Sequence, residues 1–338
     1  MSNAQQKGAQ PPTFPPEPPR KPGFGRRPAS ALKKLQGRDL LLLSARDLLQ
    51  AAADENVLLV ALVAPAQAAI AGFVRAARDA QAPLLLARPS GAADERGPEE
   101  ARDDGAFVEA ALREADAAHF EGPIALLKEP PRAGSAVPEQ ERVHREMEAG
   151  FTGLAVVARV DDAAAARDAA LVAAQVCQRE LGLEVVPLGG SAEVGAEVAR
   201  QLKARGSLPS AIRLTGQERE ARAVTAELGP VHVTTATETA PLELLGLGVR
   251  MLVASGPFLR ALERAAPRAV LDELQAWADQ KGATLEQAAA RHQRLLRNLP
   301  EDVQDRLEAL CSFEAVELFE RAGAAGTAAR LAARVALY

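Results

Sequence analysis

The sequence predicts an α/β protein built as a (β/α)8 TIM barrel, with a disordered N-terminal tail and a helical C-terminal extension. Three observations predict it. From about residue 56, short apolar runs suited to strands buried on both faces alternate with amphipathic helical stretches. Eight such units occupy roughly 200 residues, which suits a closed parallel barrel better than an open sheet. The turn after the first run reads Ala64-Pro65-Ala66-Gln67. It lacks the glycine fingerprint of the competing doubly wound sheet.

Each element has a local reason. Ser44 and Asp47 make a capping-box-like start to a helix reaching about Glu55, followed by the first strand at 57–64. The helix Gln67–Asp79 carries Ile70, Val74 and Ala77 at helical spacing. Leu84–Ala87 is the second strand and Ala106–His119 its helix; PIALL (123–127) is the third, before Pro138–Ala149. GLAVVARV (153–160) leads into an alanine-rich helix from Asp162 to about Leu181, and LEVVPL (183–188) into a helix capped by Ser191 and ending at Ala204. AIRLT (211–215) is the sixth strand, with Thr215 and Glu218 as a capping box for a helix to Leu228. VHVTT (231–235), a short helix over Leu242–Leu247 and RMLVAS (250–255) complete eight units, and the remainder to Tyr338 reads as helix. The domain reading is therefore a tail over 1–30, a barrel over 38–265 and an extension over 266–338.

Composition narrows the function classes. The net charge of -5 argues against a nucleic-acid-binding body. Cys177 and Cys311 are too few for a disulfide framework or a four-sulfur metal site, and both sit in apolar helical contexts. No apolar signal-peptide core opens the chain and no apolar run reaches about 18 residues, so a cytoplasmic protein without membrane contact is expected. In the tail, Pro11, Pro12, Pro15, Pro16, Pro18 and Pro19 have PxxP spacings and are followed by Arg20, Lys21, Arg26 and Arg27. That composition favours solvated polyproline II, either as an extension of no fixed role or as a docking segment for a protein partner.

In a barrel the active site lies at the strand C-termini, and there the chain resembles the zinc-dependent class II aldolases for fructose or tagatose bisphosphate. Residues 41–80 resemble the family's first helix, strand and second helix, and PLLLARPSGA (83–92) resembles its second strand. AGFTGLAVV (149–157) and LGVRMLVAS (247–255) resemble its Ala-Gly-Phe-Thr-Ser and eighth-strand segments, in the family's order. The resemblance covers about residues 40–265. It implies zinc as cofactor, a sugar phosphate as substrate and a dimer built on C-terminal helices.

The matching positions depart from the family's chemistry. Where the resemblance expects His-x-Asp-His after the third strand, the chain has Leu127-Lys128-Glu129-Pro130. Val157 stands for an Asp, Val186 for the second Glu of the fifth strand, Thr234, Thr235 and Ala236 for a metal-binding His and glycines, and Leu252 for a substrate-binding Asn. Glu184 matches the fifth strand's first Glu. A catalytic zinc takes three protein ligands, yet His119, His144 and His292 fall on helices and His232 lies two residues before the expected ligand. No metal is therefore expected.

Glu129 survives as a candidate acid or base, with Lys128 as a candidate Schiff-base nucleophile in its absence of zinc; consecutive strand residues face opposite ways, so only one would point inward. Gly189, Gly190 and Ser191 open a helix and are candidate anion binders, as are Thr235, Thr237 and Ser255 on the seventh and eighth loops. Glu238 opposes anion binding there. In the tail-end helices, Thr284 and Gln287 form a capping box, and an apolar stripe from Val303 to Phe319 is expected to fold over the barrel or mediate a homodimer. The functional expectation is a non-catalytic binding, regulatory or scaffold protein. The alternative is a divergent carbon–carbon lyase acting on a sugar phosphate in carbohydrate metabolism.

Overall fold

The computed structural model describes residues 29–90, 98–130, 139–158, 171–176, 181–187 and 192–338. Its centre is a closed barrel of eight parallel strands: β1 (Leu59–Val63), β2 (Leu84–Arg88), β3 (Pro123–Lys128), β4 (Gly153–Ala158), β5 (Gly182–Pro187), β6 (Ala211–Arg213), β7 (His232–Thr235) and β8 (Val249–Ala254). Each strand pairs with the next, and β8 returns to β1. The β3–β4 seam is short, with Leu127 opposite Gly153 and Lys128 opposite Leu154. A two-residue strand, Leu41–Leu42, takes the other half of β3.

Strand alternation divides the apolar residues into two cores. Leu59, Ala61, Val63, Leu85, Ala87, Ala125, Leu127, Ala211, Met251 and Val253 fill the lumen, while Leu58, Val60, Leu62, Leu126, Val156 and Ile212 face the helices. The lumen is closed at its N-terminal end by two helices. Ala45–Asp54, whose N-cap Ser44 accepts the Arg46 N–H at 3.2 Å, inserts Leu48 and Leu49; Ala328–Val335 adds Leu331 and Val335. The first plug dictates small residues on two strands. A Cβ at Gly153 or at Gly182 would stand 2.7 Å from Ala45 Cβ.

Residues 266–338 come back onto their own barrel. The helix Glu301–Ala322 packs along Gln67–Asp79 and Gly256–Ala265 and buries Leu307, Cys311, Ala315, Leu318 and Phe319 in the helix-layer core. The Thr284–Gln287 capping box forms as its spacing predicts, at the start of Leu285–Arg291. The Thr215–Glu218 box does not. The helix there begins at Ala221, and the Glu218 carboxylate instead accepts the Gly216 N–H at 2.9 Å and hydroxyls from the next loop. The helix expected from Ala106 starts at Pro98. Most of the helix expected over Asp162–Leu181, Cys177 and the tail over 1–28 lie outside the described residues, of which 171–176 are helical. No helix among the described residues is long and apolar enough to cross a membrane.

Candidate functional site

At the C-terminal half of the lumen the apolar layers give way to charge. Glu184 on β5, Arg213 on β6 and Thr234 on β7 occupy inward-facing positions, and Glu129 follows β3 with the same parity as Ala125 and Leu127. Arg213 donates from Nη1 and Nη2 to Glu129 at 2.6 and 2.9 Å, and from Nε and Nη2 to Glu184 at 3.2 and 2.5 Å. The Thr234 hydroxyl donates to Glu184. One guanidinium thus binds two carboxylates, each through two bonds, the geometry in which arginine pairing is strongest. Burial pushes the Arg213 pKa down, but the charges of Glu129 and Glu184 outweigh it and hold it above its ordinary value. Beneath the network a cavity of about 20 Å³, lined by Leu127, Gly153, Ala155, Glu184 and Met251 among others, has room for a single water.

Lys128 is placed elsewhere. Its neighbours Leu126 and Val156 face the helices, and so does Lys128, with only 2% exposure. Its ammonium donates to Asp104 at 2.7 Å and lies 5.9 Å from the Phe151 ring centroid. Arg88, from the end of β2, donates to the same carboxylate at 2.5 Å and lies over Phe107, which stacks on Phe151. Close by, Arg142 bonds both oxygens of Glu146 at 2.7 Å and the Ala155 carbonyl at 3.0 Å. Burial pushes the Glu146 carboxyl up to about 7 despite the opposing charges of Arg142 and Lys128. The geometry therefore separates the two expected partners: Glu129 is in the lumen and Lys128 is behind the barrel wall, held as an ion-paired ammonium rather than as a mouth-facing amine.

The anion-binding candidates divide similarly. Gly189, Gly190 and Ser191 lie outside the described residues. Thr235 and Thr237 come together, but around a carboxylate of the chain itself: both hydroxyls donate to Glu218 Oε1, at 2.6 and 2.5 Å. Burial raises the Glu218 pKa, and these hydrogen bonds more than offset it, leaving it lowered. Ser255 stands at the N-cap of Gly256–Ala265 without a side-chain cap bond, and the Gly256 N–H is taken by Glu238 Oε1 at 2.6 Å. Arg260 beside it is shared between Glu238 and Glu314. The Thr235 and Thr237 hydroxyls and the Gly256 N–H are thus already engaged by acidic side chains of the same chain.

The donor set among the described residues does not fit a catalytic zinc. No three His, Cys, Asp or Glu side chains among the described residues are grouped to hold a metal ion. His119 follows the helix Pro98–Ala117, His144 is on Glu139–Ala149, and His292 links Leu285–Arg291 to Gln293–Arg297 with its ring against Trp277. His232 begins β7, opposite Ala211 at the floor of the barrel, and not beside Glu129. Leu252 faces the helix layer. The mouth is further bounded by Leu285–Arg291, whose Gln287 donates to the Ser90 carbonyl at 3.1 Å while Ser90 donates to the Glu129 carbonyl at 2.5 Å.

Sequence reasoning missed Arg213, and with it the role of Glu184. A signal was present: an arginine inside AIRLT, a run otherwise suited to a fully buried strand, requires a buried carboxylate partner. Arg88 inside LLLARP is the same signal.

Among solved structures the chain is similar to the YdjI aldolase from Escherichia coli K12, with a TM-score of 0.60 and 12% identity over 85% of this chain and 99% of that one. It is similar to a putative fructose-1,6-biphosphate aldolase from Coccidioides immitis (TM-score 0.57, 13% identity, 88% of this chain and 99% of that one). A fructose-bisphosphate aldolase from Campylobacter jejuni gives a TM-score of 0.54 at 11% identity, over 84% and 96% of the two chains. No protein-family model matches the sequence, and no curated protein matches it. At such identities the shared property is the fold, an aldolase-like (β/α)8 barrel.

Proposed function

We propose that this chain is an aldolase-like barrel without metal-dependent aldol chemistry, serving as a non-catalytic binding, regulatory or scaffold protein. The observation that carries the reading is the Arg213 clamp. The two lumen carboxylates nearest to a catalytic arrangement, Glu129 and Glu184, are both engaged by one guanidinium. A carboxylate so engaged is a poor metal ligand and a poor general base, because either role requires giving up a buried, charge-assisted pair. Glu218 on Thr235 and Thr237, and Glu238 on the Gly256 N–H, support the same reading, since a sugar phosphate would have to displace them. A cytoplasmic protein, with residues 1–30 contacting a protein partner and a homodimer as its assembly, accords with this role.

The test is metal analysis of the purified full chain after incubation with zinc, paired with coupled assays for cleavage of fructose and tagatose bisphosphates. Zinc well below one per chain and no cleavage are expected. One tightly bound zinc per chain together with cleavage would reject the proposal. Cleavage without metal would favour instead a divergent carbon–carbon lyase in which Glu129, with 17% side-chain exposure, moves the proton.

A further inference from the structure

The segment that bounds the barrel mouth is nearly a body of its own. Three helices, Arg268–Lys281, Leu285–Arg291 and Gln293–Arg297, lie between Pro267 and Pro300, the N-cap residues of Arg268–Lys281 and Glu301–Ala322. They pack mainly on one another, and among the described elements none has comparable contact with a barrel strand or with the helices around the barrel. Gly282 turns the chain between the first two at φ 54°, and the Trp277 ring meets His292 edge-on at 5.4 Å. Arg268–Lys281 buries only Leu274 and Ala278. The C-terminal end is tied down: Gln304 donates to the Arg297 and Leu299 carbonyls at 3.0 and 2.8 Å.

Where the segment meets the mouth, its grip is largely polar. Leu285–Arg291 buries Ala288, Ala289 and Ala290, and an alanine brings only one methyl group to such a contact. Gln287, 8% exposed, is the long side chain buried from that helix. Its Oε1 accepts the Thr284 N–H at 3.0 Å, closing the capping box, while its Nε2 donates to the Ser90 carbonyl at 3.1 Å. Ser90 follows β2, is 2% exposed, and passes its hydroxyl hydrogen bond to the Glu129 carbonyl at 2.5 Å. One amide thus does two tasks: its oxygen organises the helix, and its nitrogen fastens the helix to the loop after β2, itself bonded to the residue that carries the clamp. Segments that bury little apolar surface open well below the free energy of global unfolding, turning at residues near element ends.

We propose that residues 268–299 form a hinged lid on the barrel mouth, latched shut by the Gln287 amide on the Ser90 carbonyl, and that its opening governs access to Glu129 and the Arg213 clamp. The lid does not rest on the function proposed for the mouth, because it controls access whether the lumen binds a ligand or transforms one.

Gln287→Glu separates the two tasks: glutamate keeps the capping box, but its carboxylate cannot donate to a carbonyl. The probe is Ser90→Cys in the full chain, labelled by a small methanethiosulfonate and followed by peptide mass spectrometry, with and without Gln287→Glu. Labelling should rise about fivefold or more with Gln287→Glu, as loss of a buried hydrogen bond implies. Trp277, the single tryptophan of the chain, reports whether the lid itself stays folded, and its emission should not shift. Should Ser90→Cys fail to fold, spin labels at Ala276→Cys and Ala117→Cys, both exposed positions, measure the lid-to-barrel distance in a Cys177→Ala, Cys311→Ala background. Gln287→Glu should then add a longer population. Equal labelling rates or an unchanged distance distribution would overturn the proposal. So would faster labelling accompanied by a red shift of Trp277, which marks local unfolding rather than a hinge.

Discussion

Replacing Arg213 by methionine keeps most of the side-chain volume and removes the charge that joins β6 to β3 and β5. Four nitrogen–oxygen contacts between 2.5 and 3.2 Å are lost. Two carboxylates are left facing the same space, one of them still bonded by Thr234. Removing one partner of a buried ion pair costs about 3–5 kcal/mol, chiefly because the remaining charge is stranded in low dielectric. Glu129 keeps some contact with solvent, so a value near the lower end, about 3 kcal/mol, is expected. The variant should also acquire a pH dependence. With the cation gone, burial and mutual repulsion raise the folded-state pKa of the carboxyl pair above the unfolded value. Stability is then greatest below the unfolded pKa and is lost as pH rises through the folded one, so Arg213→Met should be more stable at pH 5 than at pH 7.5 relative to wild type. Urea unfolding at both pH values measures this, and the triple variant Arg213→Met, Glu129→Gln, Glu184→Gln should recover most of the loss. A loss below about 1 kcal/mol with no pH dependence would show that the clamp is solvated and that the argument from its burial fails.

Three further outcomes follow from the helix layer. Glu146, pushed up to about 7 from an ordinary 4.5, should make the wild type lose about 2–3 kcal/mol as pH rises between those values, because the folded state holds the extra proton; Glu146→Gln should flatten that part of the profile in chemical unfolding. Asp104→Asn, which removes the carboxylate that Arg88 and Lys128 share, should cost about 3–5 kcal/mol in chemical unfolding, and a neutral result would refute the shared ion pair as a stabilising contact. Gly72→Ala places a Cβ 2.5 Å from the Glu308 carbonyl oxygen and should destabilise by about 1–3 kcal/mol in thermal unfolding. Gly105→Ala, with nothing within 4 Å on its helix, should be neutral or stabilise by about 0.5–1 kcal/mol; equal effects at both sites would refute the close-packing account.

Much of the fold was legible because its signals are local. The first strand was expected at 57–64 and runs Leu59–Val63; the last was expected at 250–255 and runs Val249–Ala254. The helix Gln67–Asp79 has the bounds its spacing predicts, since apolar periodicity and the flanking breakers lie within one turn of each end. The Thr215–Glu218 pattern misled because a capping box is only a preference, and the Thr235 and Thr237 hydroxyls outbid the helix for the same carboxylate.

The sequence by itself determined the eightfold alternation, the closure it implies, and the small number of histidines, four in the chain. Only the tertiary structure decided which of Lys128 and Glu129 enters the lumen. In PIALLKE both faces are apolar up to the charged pair, so a period of two carries no label for inside and outside. The clamp lay beyond local reading for a related reason: Arg213 meets Glu129 across 84 residues and Glu184 across 29. Such pairs exist only once the barrel has closed and brought three strand ends into one largely buried space, where unpaired charge is too costly to remain.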